Sequence, residues 1–129
     1  MPTELPSAIH GFARMVAMPP SAPDWTTSFT EQLATLREQM RAHVRDTEGP
    51  GGTYAKLLRD APRLAPGVQA LVEDHRAILR ALDQPPVPLV DVERVRAWAL
   101  SIVQDVSMHR QRGANLVYEA YLTDLGEPG

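Results

Sequence analysis

The chain has 129 residues, of which 43% are hydrophobic and 22% charged, a balance typical of a folded globular domain rather than a disordered segment. Its net charge of -3 leaves no basic stripe for nucleic-acid phosphates, and the absence of cysteine excludes thiolate metal sites, iron–sulfur clusters and disulfides. We therefore expect residues 1–129 to form one domain with no nucleic-acid partner. Any bound metal would be held by imidazole, carboxylate or water.

The sequence contains no signal for a membrane or for several large enzyme classes. Its longest apolar run, residues 97–103, is too short to cross a bilayer, and no secretion signal precedes it, so we expect a cytoplasmic protein without a membrane partner. A Gly-rich phosphate loop, a nucleophile elbow and an HExxH zinc motif are all absent from the sequence. Hydrolase and nucleotide-dependent activities therefore have no support.

Proline and glycine clusters divide the chain into helical arms. Residues 7–18 are predicted to form a short first helix with one apolar face. The second helix is predicted over residues 27–48, where apolar side chains recur in steps of four and three and His43 takes the next place on their stripe. After the Gly-Pro-Gly-Gly segment, residues 54–60 are predicted to continue this helix beyond a kink.

Two further helices complete the predicted fold. The third begins at Pro62 and Pro66, and its apolar stripe includes His75; the fourth covers residues 92–122, and its stripe includes His109. No segment shows the alternating pattern of a strand. The sequence therefore predicts an all-α fold, an up-down-up-down four-helix bundle with a short first helix and a kinked second helix.

The four histidines fall one to each arm, and three of them occupy apolar stripes. A single buried histidine is usually satisfied by a carbonyl or carboxylate. Three on separate stripes that face one interior favour a shared cation, which satisfies several imidazole nitrogens at once. His43, His75 and His109 are therefore candidate metal ligands, whereas His10 lies beside its stripe and also fits a surface position.

Acidic residues near the histidines are the second requirement of such a site. Glu48 and Asp46 follow His43 closely, and Asp105 lies four residues before His109 on the same face. We expect Asp46 to face solvent. Glu48 and Asp105 fit either a metal ligand or a residue that orients an imidazole.

Three segments carry a family resemblance: His43-Val-Arg-Asp-Thr-Glu48-Gly-Pro-Gly-Gly, Glu73-Asp74-His75, and the stretch from His109 to Gly126. With them the chain resembles the hemerythrin-like (HHE cation-binding) family, in particular its small bacterial single-domain members. The resemblance implies a four-helix bundle that holds non-haem iron and binds, senses or turns over dioxygen, nitric oxide or peroxide. The metal ligands it implies are His10, His43, Glu48, His75 and His109.

The chain departs from the family pattern at several ligand positions. Thr47 stands four residues after His43, where the family often has glutamate, and leucines flank His75 where a second histidine is usual. Gly113 and Ala114 replace the acid that usually follows the last histidine. The ligand set is therefore incomplete. It fits an altered di-iron centre that recruits water or other carboxylates such as Asp105 and Glu119, a single-metal centre, or a bundle that binds no metal.

These alternatives imply different functions. A metal-bound protein would accept a diatomic ligand or peroxide, with a hydrogen bond from one of the tyrosines Tyr54, Tyr118 and Tyr121. A metal-free bundle would instead bind a ligand or a protein partner. An oxidase of small organic molecules at the same metal would need a pocket larger than a diatomic molecule.

Helix geometry raises one difficulty for a shared site. His75 lies 13 positions after Pro62 and His43 lies 19 before it, so in straight helices their heights differ by six positions, or about 9 Å. The Gly-Pro-Gly-Gly break would have to absorb this offset for the two imidazoles to meet.

Overall fold

The computed structural model describes residues 4–123, and these residues form helices joined by short connections without any strand. Helix α1 spans Leu5–Ala17, α2 spans Trp25–Glu48 and α3 spans Thr53–Asp60. Helix α4 spans Ala65–Leu82 after a 3-10 turn at Pro62–Leu64, and α5 spans Val92–Tyr118 before a π-helical turn at Glu119–Thr123. The predicted all-α class is confirmed.

The segment between α2 and α3 is a break between two helices rather than the predicted kink in one. Gly51 has a φ of +72°, a backbone conformation that residues with a side chain rarely adopt. At Gly52 a Cβ atom would lie 2.5 Å from the carbonyl oxygen of Asp46. These glycines let the chain turn sharply at the end of α2, so that α3 starts in a new direction.

The four longer helices pack in a cyclic order. Helix α1 contacts α2 and α5, α2 contacts α4, and α4 contacts α5, while the short α3 packs on α2 and α4. Each long helix turns its apolar stripe inward, as the sequence periodicity predicts. In α4 and the 3-10 turn before it, for example, every member of the predicted stripe is buried: Leu64, Val68, Leu71, His75, Ile78 and Leu82.

The buried apolar residues form two separate cores. The larger core joins α1 to the first part of α2, the end of α4 and the first half of α5, and includes Phe29, Leu36 and Val106. The smaller core joins α3 to the start of α4 and the end of α5, and includes Leu57 and Leu71. On α4 and α5 a histidine lies between residues of the smaller core and residues of the larger core, and on α2 the histidine follows the last buried residue of the larger core. The three histidines therefore lie between the two cores.

None of the described helices combines the length and the apolar composition that crossing a lipid bilayer requires.

A pair of leucine substitutions tests the packing of the larger core. Leu36 is fully buried on α2, whereas Leu100 on α5 is 52% exposed. We expect Leu36→Ala to lower the free energy of unfolding by about 2 to 5 kcal/mol, because it removes buried methyl groups and leaves a cavity. The matched Leu100→Ala should change it by less than about 0.5 kcal/mol. Urea denaturation of both variants measures the difference, and similar losses in both would contradict this packing.

Candidate metal centre

Three histidines from three helices meet at the level between the two cores. His43 comes from α2, His75 from α4 and His109 from α5. His75 and His109 are 1% and 2% exposed, and His43 is partly buried. Each histidine follows apolar residues on its stripe, so the packing that buries Met40, Leu71 and Val106 also turns the three imidazoles toward one point.

The Nε2 atoms of these imidazoles converge. The Nε2 atom of His109 lies 3.0 Å from that of His75 and 3.3 Å from that of His43. All three ligand atoms lie within 4.8 Å of one another. Two nitrogens bound to a tetrahedral zinc ion at about 2.0 to 2.1 Å are about 3.3 Å apart, and the separations of His109 Nε2 from the other two nitrogens are close to this value.

Carboxylates hold the opposite nitrogens of two of these rings. His75 Nδ1 donates to Glu48 Oε2 at 2.5 Å, and His109 Nδ1 donates to Asp74 Oδ2 at 3.0 Å. Arg112 in turn donates to Asp74 Oδ1 at 2.6 Å. Carboxylates that bind the outer nitrogen of a ligand histidine fix its orientation and raise its basicity in many metal sites.

These hydrogen bonds determine whether the Nε2 atoms, which face the centre of the cluster, carry a hydrogen or a lone pair. A carboxylate oxygen accepts a hydrogen, so Nδ1 carries the hydrogen in both His75 and His109, and each neutral ring leaves only a lone pair on Nε2. The two lone pairs therefore face each other across 3.0 Å without a hydrogen between them. Lone pairs at this distance repel each other, and a cation between them relieves that repulsion.

Tyr54 on α3 closes one side of the cluster. Its hydroxyl donates to His75 Nε2 at 3.2 Å, and its ring stacks on the imidazole with the centroids 5.7 Å apart. Burial raises the pKa of Tyr54 to about 12, against a smaller opposing effect of Thr47. The phenol is therefore neutral and acts as a hydrogen-bond donor at neutral pH.

Burial also keeps two of the imidazoles neutral. Burial, together with the neighbouring His75 and His109, lowers the pKa of His43 to about 4, against a smaller raising effect of Asp46. Burial likewise lowers the pKa of His75, although its bond to Glu48 acts in the opposite direction. Neutral imidazoles are the form that binds metal ions.

A cleft of about 400 Å³ opens beside the cluster, between α2, α3 and α5. His43 and His109 form part of its wall, and Tyr54 lines it next to them. Its remaining wall has an apolar side, with Leu57 and Leu71 at the smaller core, and polar groups from four further residues: Asp46, Thr47, Thr53 and Arg110. The centre is therefore reached from solvent through this cleft and not through either apolar core.

The structure brings together most, but not all, of the residues that the sequence suggested as ligands. His43, His75 and His109 meet, and Glu48 contacts the outer nitrogen of His75 rather than the point of convergence. His10 lies exposed on α1 and does not belong to the cluster. The two carboxylates considered as replacements, Asp105 and Glu119, are exposed and are not part of it either.

The role of Asp74 was not anticipated from the sequence. It precedes His75 on α4, yet its carboxylate serves His109 on the neighbouring helix. Its position in the chain gives no sign of this, because adjacent residues of a helix point in different directions and only the packing of α4 on α5 selects the partner. Of the three tyrosines, Tyr54 reaches the cluster, whereas Tyr118 is exposed and Tyr121 donates to Asp60.

Comparison with protein-family models, curated proteins and solved structures gives no match for this chain. The resemblance to the hemerythrin-like family therefore stays a prediction. What the site can do is inferred from the geometry of the three histidines and their partners.

The lowered pKa of His43 predicts how acid affects the metal-free protein. The unfolded chain takes up a proton at this residue below a pH of about 6.5, whereas the folded chain does so only near pH 4. Stability should therefore fall as the pH drops from 6.5 to 4. By pH 5 the share due to His43 should be on the order of 1 kcal/mol.

Urea denaturation of chelator-treated protein at pH 7 and pH 5 measures this loss. His43→Gln should reduce the loss, since glutamine does not titrate, and the exposed His10→Gln should leave it as in the unchanged protein. An equal fall in all three proteins would contradict the prediction.

Proposed function

We propose that this chain is a metal-binding protein in which His43, His75 and His109 hold one divalent transition-metal ion through their Nε2 atoms. At least one coordination position of the ion would remain free and would face the cleft beside Tyr54. Three protein ligands with an open fourth position are the usual arrangement of catalytic and ligand-binding metal sites, whereas structural sites use four.

One observation carries this proposal: the lone pairs of His75 Nε2 and His109 Nε2 face each other across 3.0 Å. While both rings are neutral, Glu48 and Asp74 accept the only ring hydrogen that each imidazole has, so neither ring can donate to the other. Without an ion, His75 Nε2 accepts from the Tyr54 hydroxyl and His109 Nε2 lies 3.3 Å from His43 Nε2, yet the lone pairs of His75 and His109 still repel each other. With an ion, the same arrangement supplies oriented ligands.

The donor set limits the choice of metal. Imidazole suits zinc, copper, iron and nickel, and none of the three ligands is a carboxylate of the kind that favours magnesium or calcium. The resemblance to the hemerythrin-like family favours iron among these, with dioxygen, nitric oxide or peroxide as the bound species. Iron is therefore our specific proposal for the metal.

The geometry favours a single ion over a pair. In the described part of the chain the cluster contains three histidines, and the two nearest carboxylates bind outer ring nitrogens instead of bridging a second position. A di-iron centre would require further ligands at the point of convergence. The single-metal alternative is thus the one we carry forward.

We also propose that the four long helices form the up-down-up-down bundle expected from the sequence. Their cyclic contacts, α1 with α2, α2 with α4, α4 with α5 and α5 with α1, support this arrangement. In such a bundle a metal site assembled from facing helices lies in the interior.

Metal titration with histidine variants tests the proposal. We expect the unchanged protein to bind one Zn²⁺, Co²⁺ or Fe²⁺ ion per chain, with the Fe²⁺ measurement made without oxygen, and to gain thermal stability on binding. Alanine in place of His43, His75 or His109 should weaken binding at least about 100-fold, because each removes one of three metal bonds. The control His10→Ala changes a histidine outside the cluster and should bind as the unchanged protein does.

Calorimetry and metal analysis after dialysis measure affinity and stoichiometry. Binding that survives all three substitutions, or that is lost equally in His10→Ala, would refute the three-histidine centre. A protein that binds no ion and melts at the same temperature with and without added metal would support the metal-free alternative.

The carboxylates behind the imidazoles should matter almost as much as an individual ligand. If an amide replaces the carboxylate of Glu48 or Asp74, its NH2 group can donate to Nδ1 of the ring. The ring hydrogen then lies on Nε2, where it blocks the lone pair that would bind the metal. We therefore expect Glu48→Gln and Asp74→Asn to weaken metal binding about 10- to 100-fold. Asp105→Asn, an exposed acid near His109, is the control and should have little effect; equal affinities in all three variants would exclude this positioning role.

A further inference from the structure

The cleft beside the three histidines is much larger than a diatomic ligand needs. It holds about 400 Å³, whereas a water molecule takes up about 30 Å³ of the liquid and a diatomic molecule has a similar size. Pockets of about 300 to 1,000 Å³ typically bind small organic molecules. The size of the cleft therefore indicates a ligand with several more heavy atoms than dioxygen or nitric oxide.

The chemistry of the wall indicates which part of such a ligand lies where. Away from the histidines the wall contains Leu57, Leu71, Ala114 and Val117, and Val117 stays 39% exposed although it is apolar. Gly113 adds no side chain to it, and a Cβ atom built there has no neighbour within 4 Å. This part of the cleft suits the apolar body of a ligand.

The opposite end of the cleft suits an anionic oxygen. Three neutral imidazoles leave the charge of a divalent ion uncompensated at the ligand side, because Glu48 and Asp74 lie behind the rings and Arg112 is paired with Asp74. At the rim, Asp46 and Arg110 line the cleft with opposite charges and favour neither sign. An anionic group is therefore best placed at the open position of the metal centre.

Tyr54 provides the second contact for that group. Its hydroxyl donates to His75 Nε2, and once the lone pair of this nitrogen is used in a metal bond the hydroxyl hydrogen needs another acceptor. Tyr54 also lines the cleft, so an oxygen of a ligand bound there is within reach of the same hydroxyl.

We propose that the cleft binds a small organic carboxylate with an apolar body, its carboxylate directed to the three-histidine centre and to the Tyr54 hydroxyl, and its body against Leu57, Leu71 and Val117. This inference rests on the proposed metal site and adds the class of molecule that the site accepts. Phenyl- or alkyl-bearing monocarboxylates fit the volume and the wall, and acetate has the same head group without the apolar body.

The test uses the full chain loaded with Co²⁺, whose visible absorption changes when a ligand enters its coordination sphere. We expect benzoate to bind about tenfold more tightly than acetate, because its ring buries apolar surface that acetate lacks. Tyr54→Phe should weaken both carboxylates about fivefold to tenfold and preserve the preference, since it removes only the hydrogen bond.

Two substitutions of Gly113 test whether the body occupies the cleft. Gly113→Leu places a large side chain in the open space and should reduce the preference for benzoate over acetate to less than about threefold. Gly113→Ala is the matched control, because it has a similar effect on the helix backbone with a smaller side chain, and it should retain most of the preference. Both replacements favour the helix over glycine, so folding is not at risk.

The outcomes separate this inference from the proposed function. Equal affinities for acetate and benzoate, or an unchanged preference in Gly113→Leu, would overturn the inference while the metal site stands. Failure of Co²⁺ to bind in a manner that depends on the three histidines would overturn the metal site itself, and with it the inference.

Discussion

The contact between His75 Nε2 and His109 Nε2 is the constraint on which the centre of this molecule depends. Two carboxylates from α2 and α4 accept hydrogen bonds from the Nδ1 atoms of the rings, which leaves the two Nε2 lone pairs 3.0 Å apart in a buried place. An ordinary core would avoid this arrangement, because two acceptor nitrogens with no hydrogen between them repel each other at this distance. A protein prepared to bind a cation requires it, since orientation and basicity are then fixed before the ion arrives.

The surrounding fold serves this contact from two sides. The larger core holds α2, α4 and α5 together on one side of the histidines, and the smaller core holds α3, α4 and α5 together on the other, so the polar cluster lies between two apolar regions. The residues on either side of the α2–α3 loop both bind His75: Glu48 accepts from its Nδ1 atom, and the Tyr54 hydroxyl donates to its Nε2 atom. The sharp turn at Gly51 and Gly52 makes this double contact possible.

The cleft determines from which side a ligand reaches the histidine cluster. The apolar cores close the centre above and below, whereas the space between α2, α3 and α5 stays open and reaches the imidazoles of His43 and His109. A ligand that enters therefore meets two imidazoles of the cluster, a neutral phenol and an apolar wall together. Our proposal that the cleft accepts an organic carboxylate rests on this combination.

The sequence by itself determined the helices and their inward faces. Residues repeated in steps of three and four bury one stripe per helix, and this local periodicity was enough to predict that His75 and His109 are buried. It also identified the three histidines as a group. Side-chain spacing within a helix follows from backbone geometry alone, so no knowledge of the neighbouring helices was needed.

Only the tertiary structure decided which groups meet across helices. The predicted offset of about 9 Å between His43 and His75 assumed straight arms; it does not arise, because the chain breaks after α2 and α3 takes a new direction. The same packing left His10 exposed and assigned Asp74 to a histidine of another helix. Contacts of this kind depend on the relative height and rotation of packed helices, which a one-dimensional pattern does not specify.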